Sequence, residues 1–267
     1  QQQKAMEGII RHALTANPYM NIILMAFADE DKIRDYRNGK APAEVALHDQ
    51  LAKYYKLSFL NLAQEVQQRI ANKEFSWKDD FKDLHPSPFG QEIYFQTIKT
   101  LLKNAAGQYR NESLVKSILP AVQNKGYYGS GRYVSVDKAT ALKGFSVTPN
   151  WQPNDKAETR ARFVHVPVLE ANQPGASFSF TFTGNAAGIA IVAGPDAGMI
   201  KYSVDGKPDK VMDLYTQWSG GLHLPWYLVL ADGLPKGKHI LKVQITAQKN
   251  KDSKGNACRI VYFLANE

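Results

Sequence analysis

Asn21-Ile22-Ile23-Leu24-Met25-Ala26-Phe27 is a continuous apolar run of strand length, without the alternation of a strand that has one wet face. Such a run predicts a parallel strand covered by helices on both sides. Toward the N-terminus, Met6, Ile9, Ile10, Ala13 and Leu14 recur at three- and four-residue spacings and predict a helix over 4–16, ending before Asn17-Pro18. In the other direction, residues 29–40 are polar and charged and are expected to form a loop. A helix is expected from Pro42, whose fixed φ and missing N–H suit a first turn, through Val45, Leu47, Leu51 and Tyr54. Residues 57–62 predict the next strand, 63–72 another helix and 90–103 a last one. Alternating strands and helices imply an α/β layer architecture. Two parallel strands make a small sheet with exposed edges, so residues 1–104 are expected to be the second half of a sheet whose first half comes from elsewhere.

From about residue 126 the period changes to two, as in Ser177-Phe178-Ser179-Phe180-Thr181-Phe182 and His239-Ile240-Leu241-Lys242-Val243-Gln244-Ile245. Val204-Asp205-Gly206-Lys207 carries the Asp-Gly pair of a tight hairpin, and Gly and Pro recur between short strands. This half predicts an all-β sandwich or jelly roll, residues 126–267. Residues 105–125 are expected to link the halves, with one short helix within 113–123.

The 267 residues, 44% hydrophobic, suffice for two domains with their own cores. The net charge of +8 divides into 15 basic and 13 acidic side chains over residues 1–110, and 18 and 12 over the rest. The later lysines fall in loop-like runs such as Lys236-Gly237-Lys238, so no nucleic-acid partner is expected. Cys258 is the only cysteine, which excludes an intrachain disulfide and a cysteine-based zinc cluster, and it reads as a buried strand thiol. The longest apolar run is far shorter than the about 20 residues of a membrane helix. Residues 1–7 have neither an initiator methionine nor an apolar leader core, so the chain reads as internal to something longer.

Candidate chemistry centres on Asp79-Asp80-Phe81-Lys82-Asp83-Leu84-His85-Pro86-Ser87-Pro88-Phe89-Gly90. A residue before proline is kept out of the helical region, so His85 lies in a loop, with a helix after Pro88. An imidazole can take a proton from a hydroxyl nucleophile at neutral pH and return it to a leaving group, and a carboxylate fixes its tautomer. Asp83 is the nearest in sequence, with Asp80 as the alternative.

This block resembles the last sequence block of the SGNH (GDSL-like) hydrolase superfamily, in which an Asp and His pair precedes Pro and a Gly opening the final helix. The resemblance covers residues 1 to about 104. It implies a partial three-layer α/β domain with a parallel sheet, with His85 as catalytic base and Asp83 as its orienter. Lys82 holds the place, three before the histidine, where the superfamily has its acid. No Gly-Asp-Ser occurs in the chain, so the serine nucleophile and the oxyanion hole are expected from an upstream N-terminal half, in the same or a separate chain. The chain alone is expected to give no turnover.

Gly194-Pro195-Asp196-Ala197-Gly198, Asp213-Leu214-Tyr215-Thr216-Gln217-Trp218-Ser219 and Leu222-His223-Leu224-Pro225-Trp226-Tyr227 resemble the β-sandwich module that accompanies bacterial polysaccharide-acting SGNH esterases. The resemblance implies a secreted or periplasmic carbohydrate esterase acting on acylated, usually acetylated, glycan, without cofactor or metal. Trp218, His223 and Trp226 combine flat apolar faces with a hydrogen-bonding ring, which suits sugars, although aromatics in a sandwich serve as core as well. The competing reading is a non-catalytic glycan-binding or structural module. His12, His48, His165 and His239 have no close ligand spacing, and the Asp29, Glu30, Asp31 cluster reads as a charged loop at the end of a strand.

Overall fold

The computed structural model describes residues 1–107 and 115–267. It divides into two compact units, residues 1–129 and 130–267.

In the first unit, α1 (Gln2–Ala16) is followed by β1 (Ile23–Met25), α2 (Glu30–Arg37), α3 (Ala43–Tyr55), β2 (Ser58–Leu60), α4 (Leu62–Ala71) and α5 (Pro88–Gly107). The predicted strands are there but shorter, three residues each, and they pair in parallel with Leu24 opposite Phe59 and Met25 opposite Leu60. One face of the pair carries Ile22 and Leu24 against Ile10 and Leu14 of α1 and Leu51 and Tyr55 of α3. On the other face, Ala28 and Leu60 meet Ile33 of α2, Leu62 and Val66 of α4 and Ile93 and Tyr94 of α5. A strand covered by helices on both sides needs no polar face, which is why its sequence does not alternate.

The charged stretch expected as a loop is instead α2. Asp29 caps it by accepting the Lys32 N–H at 2.8 Å, Glu30 and Asp31 occupy the first turn, and Arg34 and Arg37 the last. That arrangement complements the helix dipole, and Ile33, 2% exposed, anchors the helix. Asp29 is paired with Lys32, and among the described residues no group of acidic, His or Cys side chains is arranged to hold a metal ion.

Residues 115–129, part of which the sequence assigned to a linker, run along the first unit without a helix; Ser113 and Leu114 of that call lie outside the described residues. Glu7, fully buried, accepts the Gln123 and Asn124 backbone N–H groups at 2.8 and 2.9 Å and the Tyr55 hydroxyl at 2.6 Å. Arg11 donates to the Pro120 carbonyl at 2.7 Å, and Leu119 packs on the α1–α3 core. Burial pushes the Glu7 carboxyl up, and these donors outweigh it, so its pKa falls below the usual carboxylate range.

The second unit is a sandwich of two antiparallel sheets. It contains β3 (Gly131–Ser135), β4 (Ala139–Lys143), β5 (Ser146–Trp151), β6 (Val166–Ala171), β7 (Ser177–Gly184), β8 (Ala186–Ala193), β9 (Met199–Val204), β10 (Lys210–Asp213), β11 (Leu224–Ala231), β12 (Gly237–Ile245) and β13 (Cys258–Asn266). One sheet runs β10-β9-β12-β7-β4 and the other β11-β8-β13-β6-β5, with β3 on β13 beyond the end of β6. Phe178, Phe180 and Phe182 alternate inward from β7 to meet Ile189 and Ile191 of β8 and Ile260 and Phe263 of β13. The β9–β10 hairpin turns at Asp205 and Gly206, both in the left-handed region (φ 53° and 72°), as the Asp-Gly pair predicts. Cys258 is buried, and burial pushes its thiol up to about 12, which removes it as a nucleophile near neutral pH.

Candidate active site and a groove in the sandwich

His85 is held by a short, heavily bonded connection between α4 and α5. Trp77–Phe81 forms a single wide π-helical turn, capped reciprocally: Ser76 Oγ accepts the Asp79 N–H at 2.9 Å and Asp80 Oδ2 accepts the Ser76 N–H at 2.7 Å. Phe81 is fully buried between the rings of Trp77 and Phe75, with Tyr94 edge-on. The chain then reverses through Lys82 at φ 85°, and the Ser87 N–H returns to the Phe81 carbonyl at 2.9 Å. Gly90 opens α5 against this turn: a Cβ there would lie 2.7 Å from Pro86 Cβ and 2.8 Å from the Phe81 ring. The glycine lets the helix approach closely enough to fix the loop that carries the histidine.

Within the loop, Asp83 Oδ1 accepts the His85 backbone N–H at 2.5 Å and lies 3.6 Å from His85 Nδ1. The first bond closes a small Asx turn, which sets the carboxylate beside the ring. Both side chains face solvent, His85 at 86% exposure. Asp80, the alternative orienter, is turned to the Ser76 N–H. The geometry therefore brings Asp83 and not Asp80 to His85.

The three sugar-binding candidates of the sandwich do not form one surface. Trp218 lies in a turn at 55% exposure and Trp226 on β11 at 41%, whereas His223 is buried. The His223 ring packs edge-on against Trp151, centroids 5.6 Å apart, and its Nε2 bonds Asp155 at 2.9 Å. Trp151, like Trp218 and Trp226, reads from sequence as either a sugar platform or packing, and here it is buried against His223.

Those neighbours line a groove of about 690 Å³ at the ends of β5, β6 and β13. Arg259 of β13 grips Asp196 with two hydrogen bonds of 2.7 Å, and its guanidinium lies 5.5 Å from the Trp151 ring. Its Nε lies 3.6 Å from Glu170, whose other oxygen accepts the Thr148 hydroxyl at 2.6 Å. Burial raises the Asp196 carboxyl, and the two Arg259 bonds with its charge outweigh that, leaving the group below the usual carboxylate range. Asp155 is lowered too, burial being outweighed by the Ala157 N–H and His223. One local sign was available: Arg259 is the one charged residue of the largely apolar β13, where a charge needs a partner.

No family model matches the sequence, and no curated protein matches it. Among solved structures, a two-domain esterase active on acetylated mannans, co-crystallized with mannopentaose, is similar at a TM-score of 0.76 and 15% identity, over 99% of this chain and 67% of that one. A second structure of such an esterase matches at 0.76 and 16%, over 99% and 68%. At this identity the likeness is one of fold: an α/β unit followed by an antiparallel sandwich, the architecture the sequence predicts.

Proposed function

We propose that this chain is the larger part of an SGNH-type carbohydrate esterase that removes acyl groups, acetyl above all, from a polysaccharide outside the cytoplasm of a bacterium. The observation that carries the reading is the His85 loop: an exposed imidazole with a carboxylate 3.6 Å from Nδ1, fixed directly before the helix that closes the α/β unit. Support comes from the neighbours of like fold, described as esterases active on acetylated mannans. About a third of each neighbour's length has no counterpart here, and the parallel sheet has two strands among the described residues. In this reading an upstream segment adds the remaining strands, the serine and the oxyanion donors.

His85 Nε2 takes the proton as the serine oxygen attacks the ester carbonyl, and Asp83 stabilises the imidazolium. The imidazolium then protonates the departing sugar oxygen. The same nitrogen next activates water to release the acid from the acyl-enzyme. Trp218 and Trp226, exposed on the sandwich, are proposed to touch the glycan; His223, being buried, acts through Trp151 and Asp155 and not by direct contact.

The test is hydrolysis of acetylated mannan and of a chromogenic acetate by the chain joined to its upstream segment. His85→Ala should lower kcat/KM by roughly 10³-fold or more. A rate within about twofold of the unaltered enzyme would overturn the assignment.

A further inference from the structure

We infer that the groove of the sandwich unit lined by Trp151, Asp155, Glu170, Asp196, His223 and Arg259 is a ligand site, and that it takes a neutral saccharide and rejects acidic ones. The volume, about 690 Å³, is that of a ligand cleft and far exceeds what a single ion or small amine would fill.

Its chemistry narrows the ligand. Three carboxylates face one guanidinium and one imidazole, so an anionic ligand enters against net negative charge. Each carboxylate is fixed in advance: Asp196 by Arg259, Asp155 by His223 and Glu170 by Thr148. An ionised carboxylate only accepts hydrogen bonds, so its remaining lone pairs call for a ligand rich in hydroxyl donors. The side chains of Asn150, Gln152, Asn154 and Asn172 supply both donors and acceptors around the same groove. Acceptors, amides and no free cation together match the hydroxyl pattern of a neutral sugar chain. Holding the acceptors in place beforehand lowers the ordering cost of binding.

This inference does not depend on esterase activity, and its readout is binding to the whole chain. The probes are unsubstituted mannohexaose, cellohexaose, an oligogalacturonate of equal length and spermidine, titrated while ¹⁵N-resolved spectra follow the Asn150 and Asn172 amides and the Arg259 Nε–H. A neutral hexasaccharide should shift these signals, and Arg259→Lys and Glu170→Gln should each weaken it roughly tenfold or more. Should Arg259→Lys fail to fold, Glu170→Gln and the shift map on the unaltered chain decide. The inference is overturned if no neutral saccharide shifts these signals up to about 10 mM, if shifts appear only at Trp218 and Trp226, or if oligogalacturonate or spermidine binds more tightly.

Discussion

Two carboxylates five and two residues before His85 have been given different work by their hydrogen bonds. Asp83→Asn in the joined enzyme should lower kcat by roughly a hundredfold or more, because an amide cannot stabilise the imidazolium. Asp80→Asn keeps an oxygen for the Ser76 N–H and should leave kcat within about twofold; steady-state kinetics on both variants checks the split. His239 offers a pH effect of opposite origin. Its Nδ1 bonds Asp205 at 2.6 Å and its Nε2 the Pro235 carbonyl at 2.8 Å, two acceptors that favour the doubly protonated ring. The Asp205 bond first, then Pro235, raise its pKa above the ordinary 6.5. A raised folded-state pKa gives stability that is complete below 6.5 and is lost as pH climbs through the raised value. The melting temperature of the sandwich should therefore fall across that window, and His239→Gln should flatten the fall; an unchanged slope in thermal scans would count against the clasp.

At the scale of elements, the close approach of α5 to the Phe81 turn has the clearest consequence. Gly90→Ala puts a methyl where Pro86 and the Phe81 ring already sit, and should destabilise the first unit by about 1–3 kcal/mol in denaturant titrations. It should also lower kcat of the joined enzyme, since the displaced loop carries His85. Sequence reading found the strands, four of the five helices and the change of period because these follow from apolar spacing. It missed α2, whose helical signal lies in a cap and in charges at each end, with Ile33 the sole residue buried. It also missed the groove. Trp151, Asp155, Glu170, Asp196 and Arg259 come from four separate stretches, and only the strand pairing of β5, β6 and β13 and the loops beside them bring them together. The local build of the His85 loop was legible because the residues that shape it lie within a dozen positions of the proposed base.

For the molecule as a whole, the first unit exposes several large apolar side chains, Phe27 of the strand run at 49% and Phe95 and Leu102 of α5 at 51% and 53%. An upstream segment that completes the sheet should protect the β1 and β2 amides from hydrogen exchange when supplied with this chain. Equal exchange with and without it would argue against completion. The Glu7 clasp ties the last segment of the first unit to its first helix. Glu7→Ala strands four donors, two backbone and two side-chain, around a buried site and should cost about 3 kcal/mol, read as a lower denaturant midpoint. Glu7 and its partners Gln123 and Asn124 lie 116 and 117 residues apart, so this knot cannot be tied early. During synthesis the first unit must wait for its own last segment to clear the ribosome, and until then its α/β core stays within reach of chaperones and proteases.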